Sequence, residues 1–530
     1  QNLKKMAKLR NLFPLLCALY AASAGAQGAL DLYTISQTDL RGSARFMSMA
    51  GAFGALGADL STLNQNPGGI GVYRSSEVGM TMGGVKKNVT MNGFKTSNSN
   101  FNFDNIAYVG TFKTGNETTP TFSWGVSYTK ALDFKRHYNG VIHGMRNSMT
   151  NYVAENSKGW TTSDLGAVKG GYDPYMDSNA PWISILAYNS YLINPMSASN
   201  DSYSGLYKNG TTGYAEMEVQ ESGHMNEYNV SFGGNVMDMV YWGASVGISD
   251  LEYSMYSYYG ESLEKARVPY IYGDNTYLAE GNAAWGMENY LNMTGTGVNF
   301  KMGLIVKPIN ELRLGVAFHT PTFYNVNSSY YASTSYAFDA NVAGSGVSNI
   351  KGTAGTNAGY DGKTEFDART PWKVMGSVAG VIGGRGIISL DYERVMYGGM
   401  RTFYNGREDR VVADNVRTTF KASNEIRIGG EFKVTPSFSV RAGYSYKTSP
   451  VEENLAQDPT AGTSMSYTLD NKTQRYTAGA GYRYKAFYAD LAYVRTSRQS
   501  DYYGFFNAEA PSSTLKDANN EVAVSVGFKF

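Results

Sequence analysis

Few side chains in this sequence stand at spacings that could do covalent chemistry. Gly243-Ala-Ser245-Val-Gly247 has the G-x-S-x-G spacing of a serine nucleophile. It falls inside an alternating apolar run, with no strand–turn–helix elbow to present the hydroxyl, so no hydrolase is read from it. No phosphate loop or zinc spacing occurs. Haem needs an imidazole in an apolar pocket. The four histidines are His137, His143, His224 and His319, and no paired spacing links them. Cys17 is the only cysteine, which leaves no disulfide and no thiol cage. The expectation is a protein that is not an enzyme and has no cofactor and no metal.

Binding chemistry remains. Ile142, Met145 and Met149 recur at helical spacing, and so do Trp182, Ile185 and Leu186. Such stripes form either a loop's own core or an apolar ligand surface, for which Met is a shape-tolerant choice. A second set is charged: Lys301, Arg313, Asp391, Glu393, Arg441, Lys447, Arg483 and Asp490. Each lies in or beside an alternating segment, which suggests ion pairs facing a wet interior. Gly125 interrupts one such segment between Trp124 and Val126; it marks either relief of crowding or a kink.

The elements that position these residues are strands. Phe122, Trp124, Val126 and Tyr128 alternate with Ser123, Gly125, Ser127 and Thr129. Val298, Phe300, Met302 and Leu304 alternate with Asn299, Lys301 and Gly303, and Leu312, Leu314, Val316 and Phe318 with Arg313, Gly315 and Ala317. A period of two with an apolar face and a polar, Gly-rich face suits a closed barrel in lipid, where closure satisfies every backbone N–H and C=O. The chain ends on such a segment: Val522, Val524, Val526, Phe528 and Phe530 share one face. The 42 Tyr and 60 Gly fit this class. The near balance of 46 basic and 45 acidic residues argues against a nucleic-acid partner.

Ahead of these strands, Met6 reads as a start, with 1–5 upstream of it. Lys8 and Arg10, the apolar run Leu12–Ala22 and Ala24-Gly25-Ala26 make residues 1–26 a signal peptide. Residues 27–76 are rich in Ala, Gly and Met. Residues 77–530 carry 14 expected strands, at about 77–90, 102–114, 120–135, 225–236, 239–256, 295–307, 311–323, 370–382, 387–400, 416–434, 437–449, 473–484, 487–502 and 519–530. The longest expected outer loops are 136–224, 257–294 and 325–369, with shorter ones at 91–101, 401–415, 450–472 and 503–518. Gly213–Glu221 also alternates and could extend the fourth strand.

Asp59-x6-Asn66-Pro67-Gly68-Gly69-Ile70, after a Gly/Ala-rich run, resembles the N-terminal hatch signature of the FadL family of outer-membrane hydrophobic-compound transporters, with Gly68 where the family pattern usually has Ala. A branch of that family carries the label hemin receptor. Gly303-Leu-Ile-Val-Lys-Pro308, Leu312-Arg-Leu-Gly315 and His319-Thr-Pro321-Thr-Phe-Tyr324 resemble its central hairpin, and Pro371-Trp372 leads into a third match. The resemblance implies an all-β, 14-stranded antiparallel transmembrane barrel, integral to the bacterial outer membrane, with residues 27–76 as a hatch inside the lumen. It implies passive uptake of hydrophobic compounds such as long-chain fatty acids, captured at the outer loops, with a kink near Gly125 behind lateral exit. The expected partners are membrane lipid and hydrophobic small molecules. The alternative is a structural partner in an outer-membrane complex, beside the barrel-assembly machinery or surface lipoproteins, its Tyr-, Asn- and Ser-rich loops serving as a platform. A continuous apolar tunnel would favour uptake; a lumen blocked by charged pairs would favour the partner role.

Overall fold

The protein is described by a computed structural model, covering residues 28–530 apart from 169–170, 197–200, 273–274, 343–346 and 453–462. The expected signal peptide and Cys17 lie outside the described residues. Alternation sets the wall. In β3 (Thr121–Asp133) Phe122 and Val126 are exposed while Ser123, Gly125 and Ser127 are buried. In β14 (Ser512–Lys529) Val522, Val524 and Phe528 face out while Ala523, Ser525 and Gly527 face in. Each outward row is apolar and each inward row is small or charged, so the strands can close only with those rows on opposite surfaces.

The remaining strands are β1 (Glu77–Met91), β2 (Phe94–Lys113), β4 (Thr212–Val236), β5 (Val240–Tyr272) and β6 (Asn275–Ile309). They continue with β7 (Leu312–His319 and Phe323–Val342), β8 (Gly362–Arg369 and Lys373–Ile382), β9 (Gly386–Met396), β10 (Ala422–Lys433), β11 (Phe438–Lys447), β12 (Tyr467–Tyr484) and β13 (Phe487–Tyr503). All neighbours pair antiparallel in chain order. The ring closes between β14 and β1, from Glu77↔Lys529 to Met91↔Leu515. The 14-strand antiparallel barrel expected from the sequence is the one observed. Among the described residues no helix is long and apolar enough to cross a membrane.

Several expected loops are instead wall. β2 begins at Phe94, so 91–101 is a hairpin turned at Asn92-Gly93, both at positive φ. β5 and β6 run to Tyr272 and from Asn275, 33 and 35 residues long, so most of 257–294 is strand. Most of 325–369 is strand too, in upper β7, Val347–Gly355 and upper β8. A membrane crossing takes only roughly 9–11 residues; the excess forms a high wall on one side. Polar outward residues such as Glu216, Glu218 and Tyr258 hid these extensions, because no lipid contact marks them. Arg136–His143 extends β3 against β4, and β4 begins at Thr212, as the alternation of 213–221 suggested. The expected strand start at 416 is instead the end of helix Arg410–Thr419, which Asp409 caps by accepting from the Val411 and Val412 amides.

The high wall encloses an apolar cap. Helices Met149–Asn156 and Trp182–Asn189 pack on inward residues of β4, β5 and β6, including Met217, Leu263 and Trp285. The buried Glu261 carboxylate anchors this cap. It accepts from the Met149 amide (2.8 Å), the Tyr259 hydroxyl (2.9 Å), Trp285 Nε1 (3.2 Å) and the hydroxyl of Ser148, the helix N-cap. Burial pushes its pKa up to about 7, against the four donors that pull it down.

Candidate functional site: the barrel lumen

Residues 28–73 lie within the ring of strands. Ala44 N donates to Ser525 Oγ of β14 (2.6 Å), Gly54 N to Asp391 of β9 (2.9 Å), and Thr477 Oγ1 of β12 to the Ser48 carbonyl (2.8 Å). Arg313 of β7 donates to the Leu56 carbonyl (2.6 Å), and His319 Nε2 meets that of Gln65 at 2.8 Å. The signature residues build the turn of this segment. Asp59 accepts from Ser43 Oγ (2.8 and 3.0 Å) and the Ser61 amide (3.0 Å). Asn66 Nδ2 donates to the Gly54 carbonyl (2.5 Å), and its Oδ1 accepts from Gly68 N (3.0 Å). Pro67 then opens a 3₁₀ turn to Val72. Gly68 is required by close approach: a Cβ there would come within 2.8 Å of the Gly303 backbone in β6. Gly69 is equally crowded, with Thr62 Cβ at 2.7 Å.

Many of the lumen charges are paired. Arg41 bridges Asp104 (2.9 Å) and Glu521. Glu431 joins Arg45 (2.9 Å) to Arg441 (2.6 Å), and Arg441 continues to Asp490 (2.6 Å). Arg427 holds Glu393 (2.9 Å) and Glu425 (3.0 Å), and Arg475 holds Glu425 from the other side (2.8 Å). Lys301 pairs with Glu227 and with Asn64 of the N-terminal segment. Of the charges expected in the lumen, Lys301, Arg313, Asp391, Glu393 and Arg441 are there, and Lys447 and Asp490 with them. Arg483 is not. It is exposed near the short-turn end of β12, two residues past the last inward glycine, Gly481.

Two adjoining cavities lie among and above these pairs. The upper, of about 280 Å³, runs along the start of the N-terminal segment. Leu30, Leu132, Phe134, Tyr253, Met255 and Leu291 line it together with as many polar and charged groups, Asp39, Lys87, Arg136, Asp470, Arg498 and Asp517 among them. The lower, of about 140 Å³, is lined by Lys301, His319, Lys373, Glu393 and Arg427, with Ile35, Leu40 and Met225. Thr38, Asp39 and Arg475 belong to both linings. At the upper margin Asp517 accepts from Arg136 (2.8 Å); burial raises its pKa, and Arg136 and Arg498 overcome this and hold it below the usual carboxylate range. Among the described residues the Lys373 side chain makes no hydrogen bond or ion pair; the charges that favour its ammonium belong to Glu393 and Glu227. The lumen is thus not a continuous apolar tunnel.

The six stripe residues lie elsewhere. Ile142, Met145, Met149, Ile185 and Leu186 are buried in the cap core, and Trp182 is half-buried against Tyr175 and Tyr330. None lines either cavity. Gly125 pairs with Val109 of β2 and Ser231 of β4 in unbroken ladders, and it faces Leu63. The expected kink is absent there, because the glycine makes room for the N-terminal segment. Ser245 of the G-x-S-x-G run sits mid-strand in β5, hydrogen-bonded to Ser231.

The wall is interrupted on its other side. Thr320–Thr322 splits β7, Thr370–Trp372 splits β8, and Tyr397–Gly399 ends β9, all at one height. Pro321 and Pro371 cannot donate to a ladder. The gap is bridged by Thr370 N to the Thr322 carbonyl (3.1 Å) and Thr322 N to Thr370 Oγ1 (2.8 Å). Thr320, Thr322, Thr370 and Pro371 also line the lower cavity. The lower-cavity lysine and this break escaped the sequence reading. Paired X-Pro steps in two consecutive strands were the available signal.

A closed antiparallel barrel with an apolar outward band and a lumen occupied by its own N-terminal segment defines the class: a membrane β-barrel architecture. No family model and no curated protein matches the chain. Among solved structures, a Pseudomonas aeruginosa FadL homologue superposes with TM-score 0.53 at 13% identity, over 93% of this chain and 99% of that one. The P. putida toluene transporter TodX gives 0.46 at 12%, and the Ralstonia pickettii toluene transporter TbuX 0.43 at 11%, each over 93% of this chain and 99% of the other. The chain has the FadL-type fold.

Proposed function

We propose that this protein is an outer-membrane channel for hydrophobic compounds with an anionic head, fatty acids among them. The observation that carries the reading is the pair of adjoining cavities: Leu30, Leu132, Phe134 and Leu291 give the upper one an apolar part, and the lower one presents Lys373 without an ion-pair partner among the described residues. A tail buried above gains roughly 0.8 kcal/mol per CH₂, and a carboxylate below meets an ammonium whose charge is not already spent. The N-terminal segment acts as the hatch. Its ion pairs with the wall must shift, or be passed by, for a ligand to descend. The side exit is the break at Thr320–Thr322 and Thr370–Trp372, which abuts the lower cavity, rather than Gly125. The FadL homologue shares the fold, which supports uptake without fixing the ligand.

The test is binding and passage in vesicles. Lys373→Gln should weaken oleate retention by about tenfold or more, since a hydrogen bond to a charged group contributes about 1.5–3 kcal/mol, and should leave toluene retention unchanged. Equal loss of both ligands would overturn the head-group role. A disulfide between Thr322→Cys and Thr370→Cys should slow release until reduced. One observation favours the partner reading: charged pairs cross the lumen at the level of the lower cavity and beneath it. Mild-detergent purification that yields a stoichiometric protein companion, with no bound lipid by mass spectrometry, would favour it over uptake.

A further inference from the structure

Two identical side-chain clusters stand on the outside of the wall. In β9, Tyr392 OH and Arg394 Nη1 both donate to Asn424 Oδ1 of β10, at 2.6 and 3.0 Å. In β13, Tyr493 OH and Arg495 Nη1 both donate to Asn520 Oδ1 of β14, at 2.7 and 3.3 Å. The heights match. Arg394 is eight residues above Gly386, the foot of its strand, and Arg495 eight above Phe487. At roughly 3.3 Å per residue and a tilt near 40° this is about 20 Å, close to the upper edge of an apolar band roughly 25 Å tall. Below each arginine runs an exposed apolar row, Ile388 and Leu390 in one case, Leu491 in the other.

Among the described residues neither guanidinium group has a carboxylate partner. The inward arginines Arg41, Arg45, Arg136, Arg427 and Arg475 do. Arg394 is flanked across the sheet by Val374 and Asn424, and Arg495 by Tyr476 and Asn520. A third cluster shows the alternative. Tyr128 OH donates to Asn226 Oδ1 (3.0 Å), but Lys130, two residues on, already meets Asn102 and Asp133. A guanidinium has five N–H donors in a fixed fork. With Nη1 held by an Asn oxygen that a tyrosine also braces, the other donors make no hydrogen bond among the described residues. That arrangement is complementary to a phosphate.

We propose that Arg394 and Arg495 each bind the phosphate of an outer-leaflet acyl glycolipid, with its chain along the apolar row beneath. The proposal rests on the membrane-embedded reading of the barrel and is independent of uptake. It is tested on the full mature protein in mild detergent by native mass spectrometry, using bisphosphorylated lipid A, the same lipid dephosphorylated, and inorganic phosphate as probes. The wild type should bind up to two lipid A molecules. R394Q and R495Q should each lose one, with the double variant weakened about tenfold or more, and R394K/R495K should fall between. Dephosphorylated lipid should bind as weakly as the double variant. Wild-type lipid A binding by R394Q/R495Q, with an unchanged heat-shifted mobility on gels, would overturn the proposal. So would inorganic phosphate competing as strongly as the lipid, which would mark a free-anion site. Lys373→Gln should bind lipid A normally, so loss of oleate binding and loss of this site are read separately.

Discussion

Arg41 shows how a single residue can hold two parts of the chain together. Its guanidinium is buried with Asp104 of β2 and Glu521 of β14, so one cation from the N-terminal segment bridges two wall carboxylates. Removing one partner of a buried pair strands the other charge and costs about 3–5 kcal/mol. Arg41→Ala should therefore lower the temperature at which the folded band shifts on gels by more than Arg41→Lys does, which keeps one charge. Arg41 and Arg45 are the basic residues between Gly28 and Tyr73. Their presence in an otherwise apolar segment was a legible sign of acidic counterparts in the wall. The identity of those counterparts was not legible, since Asp104 and Glu521 lie far apart in sequence and meet only through ring closure.

At the scale of elements, the cap depends on Glu261. A glutamate normally titrates near 4.5, and this one near 7. Below about 4.5 both folded and unfolded forms are protonated. Between there and 7 the unfolded chain ionises first, so stability falls as pH rises, with a total on the order of 3 kcal/mol lost above 7. Amides of helix Met149–Asn156 should exchange hydrogen faster at pH 8 than at pH 5.5, after correction for intrinsic rates, and Glu261→Gln should flatten that difference. A helix equally protected at both values would contradict the assignment. Helix Arg410–Thr419 was read as strand from 416 onward because the alternation of β10 follows it directly. Its buried face of Val412, Ala413 and Val416 is apparent only against Tyr33 and Tyr397, which come from distant parts of the chain.

For the whole molecule, residues 28–73 pack against the inner face of the ring. Inward glycines of the wall let their backbone approach, and at Gly303 any side chain would collide with Asn66 and Gly68. Gly303→Val should displace the turn at Asn66–Gly69 without breaking the β5–β6 ladder. Deleting 28–73 should leave a closed barrel with a charged lumen. Both variants should conduct ions in planar bilayers more than the wild type, the deletion most. An unchanged conductance in the deletion would show that the segment does not obstruct the lumen.

The sequence alone determined the strand number, the closed antiparallel architecture and which row of each lower strand faces outward. These follow from a period of two in hydrophobicity, a local property of the chain that lipid contact makes unmistakable. Seven of the eight charges that the sequence placed in the lumen are there, but Asp104, Glu227, Glu425, Arg427, Glu431, Arg475 and Glu521 were not read from it. Only the tertiary structure decided how far the wall rises, that the Ile142 and Ile185 stripes form the cap's core, where the wall breaks, and that Lys373 has no ion-pair partner among the described residues. Those outcomes depend on ring closure and on the segment packed within it. Both bring together residues hundreds of positions apart, and pairing across such distances leaves no periodic trace in the chain.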